Sequence, residues 1–97
     1  MIEVGRRLVE WDQAAAKDSR NTDAIFKVAK MHYFGIGTPQ DFQKSFTYYE
    51  KIINSPLGEY YSDALQKLIY MYENGVGTEK NLNAAKKLQK KLKEVFK

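Results

Sequence analysis

The sequence predicts an all-α fold, namely a right-handed α/α solenoid of about two and a half helix-pair repeats built from five helices. The first observation is internal repetition. DAIFKVAKMHYFGIGT at 23–38 returns as DALQKLIYMYENGVGT at 63–78, with seven of the sixteen positions identical. The second is that apolar residues recur at helical spacing within both segments. A period of this size is typical of stacked units, none of which can bury its apolar face alone.

The first predicted helix spans residues 2–17. Its apolar side chains, from Ile2 to Ala16, recur near the helical period. The segment SRNT at 19–22 then supplies capping and turn residues. Because no partner helix precedes it in this sequence, we interpret this helix as half of a repeat.

The next predicted helices span 23–34 and 63–74, at equivalent places in the two copies. Gly35 follows the first and Gly75 follows the second. A left-handed C-terminal cap favours a residue without a Cβ atom at this position. We therefore expect both glycines to end their helices at positive φ.

Each glycine-containing connector leads into a second helix. Asp41 in the first copy and Asn81 in the second are residue types favoured at helix N-termini. The predicted layout is a single repeat domain, with repeat one at 23–54 and an enlarged loop at 55–62. Repeat two, with a basic capping helix, follows at 63–96.

Length and composition limit the possible classes of protein. The chain has 97 residues, of which 43% are hydrophobic, and no cysteine. This length supports one compact domain with one continuous core. The lack of cysteine excludes a disulfide framework and thiolate chemistry, and it suits a reducing compartment. No apolar run is long enough for a membrane span or a secretory signal. We therefore predict a cytoplasmic location.

No part of the sequence predicts catalysis, a cofactor or a metal site. The Gly35-x-Gly37 pair lacks the third glycine of a dinucleotide loop and follows a helix, which favours helix termination. His32 is the only histidine and lies on the apolar stripe, which favours a packed side chain over a metal ligand. Acidic residues such as Glu10 and Glu50 lie among basic neighbours and give no support to acid–base chemistry.

The C-terminal segment predicts an amphipathic helix with a basic outer face. Its predicted apolar stripe consists of Leu82, Ala85, Leu88, Leu92, Val95 and Phe96. The surrounding lysines are interpreted first as the polar cap that a terminal repeat needs. The second interpretation is a contact site for an acidic partner, nucleic acid or anionic lipid. No aromatic residue is interleaved with the lysines outside the apolar stripe, so the stacking platform typical of single-strand binders is missing. We expect neither nucleic acid nor a membrane as the partner.

Both copies share a longer residue pattern. The first copy has it as Ala24, Val28, Ala29, Met31, His32, Gly35, Gly37, Asp41, Lys44, Ser45 and Tyr48. The second has Ala64, Leu68, Ile69, Met71, Tyr72, Gly75, Gly77, Asn81, Ala84, Ala85 and Leu88. This pattern resembles the SEL-one-like repeat, a relative of the tetratricopeptide repeat, over about residues 5–93.

The resemblance implies a non-catalytic module for protein–protein interaction. In related helical-pair repeats the first helix of each pair lines the concave face, at positions that the buried stripe leaves free. Carried onto this sequence, those positions are Phe26, Lys30, Tyr33, Phe34, Gln66, Tyr70, Glu73 and Asn74. We expect a protein or peptide partner there and no small-molecule substrate. A dedicated inhibitor or immunity-type protein that blocks one enzyme or toxin is the alternative, because the fold alone does not choose between them.

Overall fold

The computed structural model of the chain describes residues 22–54 and 58–95. They form four helices: α1 (Thr22–Phe34), α2 (Phe42–Ile52), α3 (Tyr61–Asn74) and α4 (Leu82–Val95). All regular secondary structure in these two ranges is helical, which confirms the all-α prediction. The described part thus holds four helices where the sequence predicts five, and the helix predicted at 2–17 lies outside it.

Helix α3 begins earlier than the sequence predicts. Its first residue is Tyr61, whereas the repeat comparison places the start at 63. The ring of Tyr61 is only 8% exposed and belongs to the core. The amide of Ala64 donates to the carbonyl oxygen of Tyr60 at 2.9 Å, which closes the first turn. Burial of Tyr61 therefore extends the helix into the predicted loop.

The helices pack in chain order. Helix α1 packs on α2, α2 on α3, and α3 on α4, which gives two helix pairs stacked side by side. The core that joins both pairs lies along this order. Its fully buried large side chains include Ile25 from α1, Tyr49 and Ile52 from α2, and Leu65 and Leu68 from α3. Each pair thus covers the apolar stripe of its neighbour, as expected of a repeat stack.

The two connectors within the pairs have the same backbone structure. Gly35 has φ of 69° and Gly75 has φ of 66°, which confirms the predicted left-handed caps. The amides of Ile36 and Val76 each donate across the cap to the carbonyl oxygen of a methionine, in both cases at 2.9 Å. This six-to-one bond satisfies a carbonyl that the helix end leaves free.

A second backbone bond closes each connector. The amide of Asp41 donates to the carbonyl oxygen of His32, and that of Asn81 donates to Tyr72, both at 2.8 Å. The Asp41 carboxylate then accepts from the amide of Lys44 at 3.1 Å. The Asn81 side chain accepts from its own helix, from the amide of Ala84, at 3.0 Å. Both predicted N-caps are confirmed.

His32 is packed, as its place on the apolar stripe predicts. Its ring is 3% exposed. It lies parallel to the ring of Tyr48, with an angle of 2° between the planes and 6.1 Å between the centroids. This contact joins α1 to α2 within the first pair.

Helix α4 buries less of its apolar stripe than the sequence predicts. Ala85 and Leu88 are buried, whereas Leu82 is 52% exposed and Val95 is 44% exposed. Both exposed residues lie at the ends of the helix, so only its central turns rest on α3. Phe96, the last member of the predicted stripe, lies outside the described residues.

Candidate functional site

An open groove separates α1 from α3. It arises because α2 packs against both helices and spaces them apart. Its volume is about 730 Å³. One wall comes from α1 and carries Phe26, Lys30, Tyr33 and Phe34. The other comes from α3 and carries Asp63, Gln66, Lys67 and Tyr70.

The groove contains six of the eight residues that the sequence proposes for partner binding. These six are Phe26, Lys30, Tyr33, Phe34, Gln66 and Tyr70. Glu73 and Asn74 are not among its lining residues. The Glu73 carboxylate accepts a hydrogen bond from the side chain of Gln89 on α4, at 3.1 Å. The Asn74 amide donates to the carbonyl oxygen of Tyr70 at 2.9 Å. The last turn of α3 is thus engaged with α4 and with its own backbone rather than with the groove.

Phe26 forms one end of the groove. Its ring stacks on Tyr60, with 4.3 Å between the centroids, and meets Tyr49 edge to face at 6.1 Å. The Tyr60 hydroxyl donates a hydrogen bond to the Asp23 carboxylate at 2.9 Å. This bond, together with Lys27, holds the pKa of Asp23 below its ordinary value, and the same bond raises the pKa of Tyr60. Phe26 is therefore half-buried and serves as a wall rather than as a free solvent-facing ring.

Three aromatic rings cluster at the opposite end. Tyr33 meets Phe34 edge to face at 4.8 Å and Phe42 at 5.3 Å. Burial raises the pKa of Tyr33, with a smaller contribution from Tyr70. Phe34 remains 52% exposed and Tyr70 remains 50% exposed. Two large aromatic side chains, one on each wall, are thus open to a ligand.

Lys67 crosses the groove to these rings. Its ammonium lies 4.5 Å from the centroid of Tyr33 and 5.2 Å from that of Phe34, within the range of cation–π attraction. Lys27, its equivalent in the first repeat, pairs with Asp23 at 3.2 Å. The two lysines share a place in the sequence repeat, and Lys67 is the one that reaches rings of the first repeat.

Tyr49 forms the floor of the groove. Its side chain is fully buried, and its hydroxyl has no hydrogen-bond partner within residues 22–54 and 58–95. Burial raises the pKa of this phenol, with smaller contributions from Tyr33 and Asp63. The ring thus supports the groove from below, and its hydroxyl is closed off from the groove.

Sequence reasoning misses three of the lining residues, Tyr49, Asp63 and Lys67. Tyr49 lies on α2, which the repeat comparison assigns to the core and not to the concave face. Asp63 and Lys67 carry a weak signal, since each is identical to its counterpart forty residues earlier. Only the packing of one repeat on the other shows that these side chains reach the groove.

The arrangement supports binding rather than a chemical reaction. Within the described ranges no three His, Cys, Asp or Glu side chains lie close enough together to hold a metal ion. None of the four helices is both long and apolar enough to cross a membrane. What the groove offers is aromatic surface, two ammonium groups, one carboxylate and a buried phenol.

Stacked helix pairs closed by paired glycines define a helical-repeat protein. The Sel1 repeat model matches residues 22–55 and 58–91, so the chain belongs to the Sel1 repeat family, which confirms the resemblance seen in the sequence. Sel1 repeats are generally protein-interaction modules, and proteins of this family are typically non-catalytic adaptors.

The chain is similar to parts of much longer proteins. It is 35% identical to protein sel-1 homolog 2 of Homo sapiens over 81 residues, which cover 84% of this chain and 11% of that protein. It is also 35% identical over 79 residues to an uncharacterized Sel1-like repeat-containing protein of Schizosaccharomyces pombe, with 80% and 11% covered. The mouse sel-1 homolog 2 is 32% identical, again over 84% of this chain and 11% of its own length. No solved structure gives a significant match.

Proposed function

We propose that the chain is a non-catalytic protein-interaction module that binds a segment of a partner protein in the groove between α1 and α3. The observation that carries this proposal is the pair of half-exposed rings, Phe34 and Tyr70, which face the same groove from opposite walls. Large aromatic side chains concentrate binding energy when a partner covers them. The general role of Sel1 repeats supports the same assignment.

The shape of the groove fits a linear segment. Its two walls are helices, so it is long and open at the top rather than closed around a small molecule. A groove of about 730 Å³ has room for several side chains of a peptide. The combination of aromatic rings with a few charged groups is typical of protein interfaces.

Affinity capture with mass spectrometry tests the proposal if three forms of the chain are compared. The parent and Leu82→Ala are expected to retain the same partners, and Tyr70→Ala is expected to lose them. Leu82 is the matched control because it is 52% exposed, as Tyr70 is 50% exposed, but lies on α4 outside the groove. Circular dichroism should show equal helix content in all three. If Tyr70→Ala retains the partners and Leu82→Ala loses them, the binding surface lies on α4 and not in the groove.

The same experiment separates an adaptor from the alternative, a dedicated inhibitor. Several partners with micromolar affinity fit an adaptor, and a single enzyme or toxin held with nanomolar affinity fits an inhibitor. The cytoplasmic location stays a prediction from the cysteine-free sequence, and fractionation of cells that express the chain tests it.

A further inference from the structure

The groove carries more positive than negative charge. Lys30 stands on one wall and Lys67 on the other, against the single carboxylate of Asp63. Their ammonium groups lie over ring faces, that of Lys30 at 5.5 Å from the centroid of Phe26. Within the part of the chain that the structure describes, neither ammonium is paired with a carboxylate. The formal net charge of the whole chain is +4, so its field also attracts anionic partners.

The two ammonium groups donate hydrogen bonds, and both suit a carboxylate. The ammonium of Lys67 lies 5.2 Å from the centroid of Phe34, one of the two half-exposed rings. An acidic side chain that pairs with Lys67 therefore has an aromatic surface directly beside it. The Tyr49 hydroxyl is buried and does not reach a ligand in the groove.

We infer, on the basis of the proposed function, that the groove selects a partner segment carrying one acidic side chain between hydrophobic ones. The carboxylate pairs with Lys67, whose ammonium lies over Tyr33 and Phe34. Its hydrophobic neighbours pack on the exposed rings of Phe34 and Tyr70. Asp63 lies four residues before Lys67 on the same helix and repels a second carboxylate. The preferred ligand is therefore singly acidic and amphipathic, and a run of acidic residues binds less well.

Display of a random peptide library on the immobilised full chain tests this inference. Selection on the parent, with counter-selection on Tyr70→Ala, is expected to enrich peptides that carry one Asp or Glu flanked by aromatic or aliphatic residues. Neutral or basic peptides that need Tyr70 would overturn the acidic assignment and leave the proposed function standing. If the peptides bind the parent and Tyr70→Ala equally well, or if none is enriched, the proposed function itself is overturned.

An enriched peptide, made synthetically with a fluorescent label, gives the quantitative test. Replacing its acidic residue with the matching amide should weaken binding about ten-fold in fluorescence anisotropy, because a charge-assisted hydrogen bond is lost. Lys67→Gln should weaken the acidic peptide to a similar degree and leave the amide form nearly unchanged.

Lys86→Gln is the matched control. It removes the same charge from the exposed face of α4, away from the groove. We expect it to change the affinity by less than about two-fold, since screening limits the reach of an exposed charge. Equal losses from Lys67→Gln and Lys86→Gln would mean that the peptide is held by overall charge alone, and would overturn the inference.

Discussion

The hydroxyl of Ser45 on α2 donates a hydrogen bond to the carbonyl oxygen of Ala29 on α1, at 2.9 Å. Both residues are fully buried. Small side chains at this point allow the two helices to approach closely. The equivalent residue of the second repeat is Ala85, which is also buried and has no hydroxyl to donate.

We predict that Ser45→Ala destabilises the chain by about 0.5–1.5 kcal/mol, the usual net contribution of one hydrogen bond. The packing should survive, since Ala85 shows that the fold accommodates alanine at this place. Chemical denaturation measures the difference. Ala85→Ser is the reciprocal variant, because Ala85 and Ile69 are the equivalents of Ser45 and Ala29. Added to Ser45→Ala, it should restore part of the lost stability if its hydroxyl reaches the carbonyl oxygen of Ile69. A larger loss from Ser45→Ala would mean that the hydroxyl also fixes the helix spacing.

Tyr49→Phe should stabilise the free chain by about 1 kcal/mol. The substitution keeps the ring in the core and removes a buried hydroxyl that has no partner among the described residues. Thermal and urea denaturation provide the measurement. Tyr61→Phe is a suitable control, since that ring is also buried but its hydroxyl is not among those left without a partner. A destabilised Tyr49→Phe would mean that the hydroxyl is hydrogen-bonded in the folded chain.

Gly77→Ala should destabilise the chain more than Gly75→Ala. Both glycines have similar positive φ, 73° and 66°, so the backbone strain of adding a Cβ atom is comparable. At Gly75 the new atom would lie 3.4 Å from the amide of Lys80, which is near an ordinary contact. At Gly77 it would overlap the backbone carbonyl of Phe42, at the start of α2. We expect an extra loss of at least about 1 kcal/mol from this overlap, measured by thermal melts. Equal melting temperatures would show that the second connector can move away from α2.

Tyr60→Phe should raise the pKa of Asp23 towards its ordinary value. The hydrogen bond from Tyr60 is the largest cause that lowers this pKa, and Lys27 is a smaller one. NMR titration of the Asp23 carboxyl measures the change, and Lys27→Gln should raise the pKa less. Because the folded pKa is lowered, the stability that this bond contributes is fully present above the unfolded pKa near 3.8. It is lost as the pH falls through the lower folded value. Parent and Tyr60→Phe should therefore differ in stability at neutral pH and converge in strong acid.

The sequence predicts those features that local chemistry determines. A glycine after the last helical turn and Asp41 or Asn81 before the next helix define each connector without reference to the rest of the chain. The start of α3 is different. Tyr60 precedes it and makes no side-chain cap, so the helix begins where burial of Tyr61 places it. No local signal marks that residue.

The groove could be predicted only in part for the same reason. Helical spacing places Phe26, Lys30 and Tyr33 on one face of α1, and the structure brings them together with Tyr70. Spacing alone also assigns Glu73 to that face, but Gln89 of another helix holds it away from the groove. Contacts between helices distant in sequence decide such cases, and one sequence does not reveal them.

The matching connectors separate the scaffold from the binding face. The angle within each helix pair is held by main-chain hydrogen bonds of equal length in both repeats, from Asp41 to His32 and from Asn81 to Tyr72. Exposed groove positions such as Gln66 contribute nothing to those bonds. Substitutions on the binding face can therefore change which partner is bound while the connectors keep the helix pairs in the same arrangement.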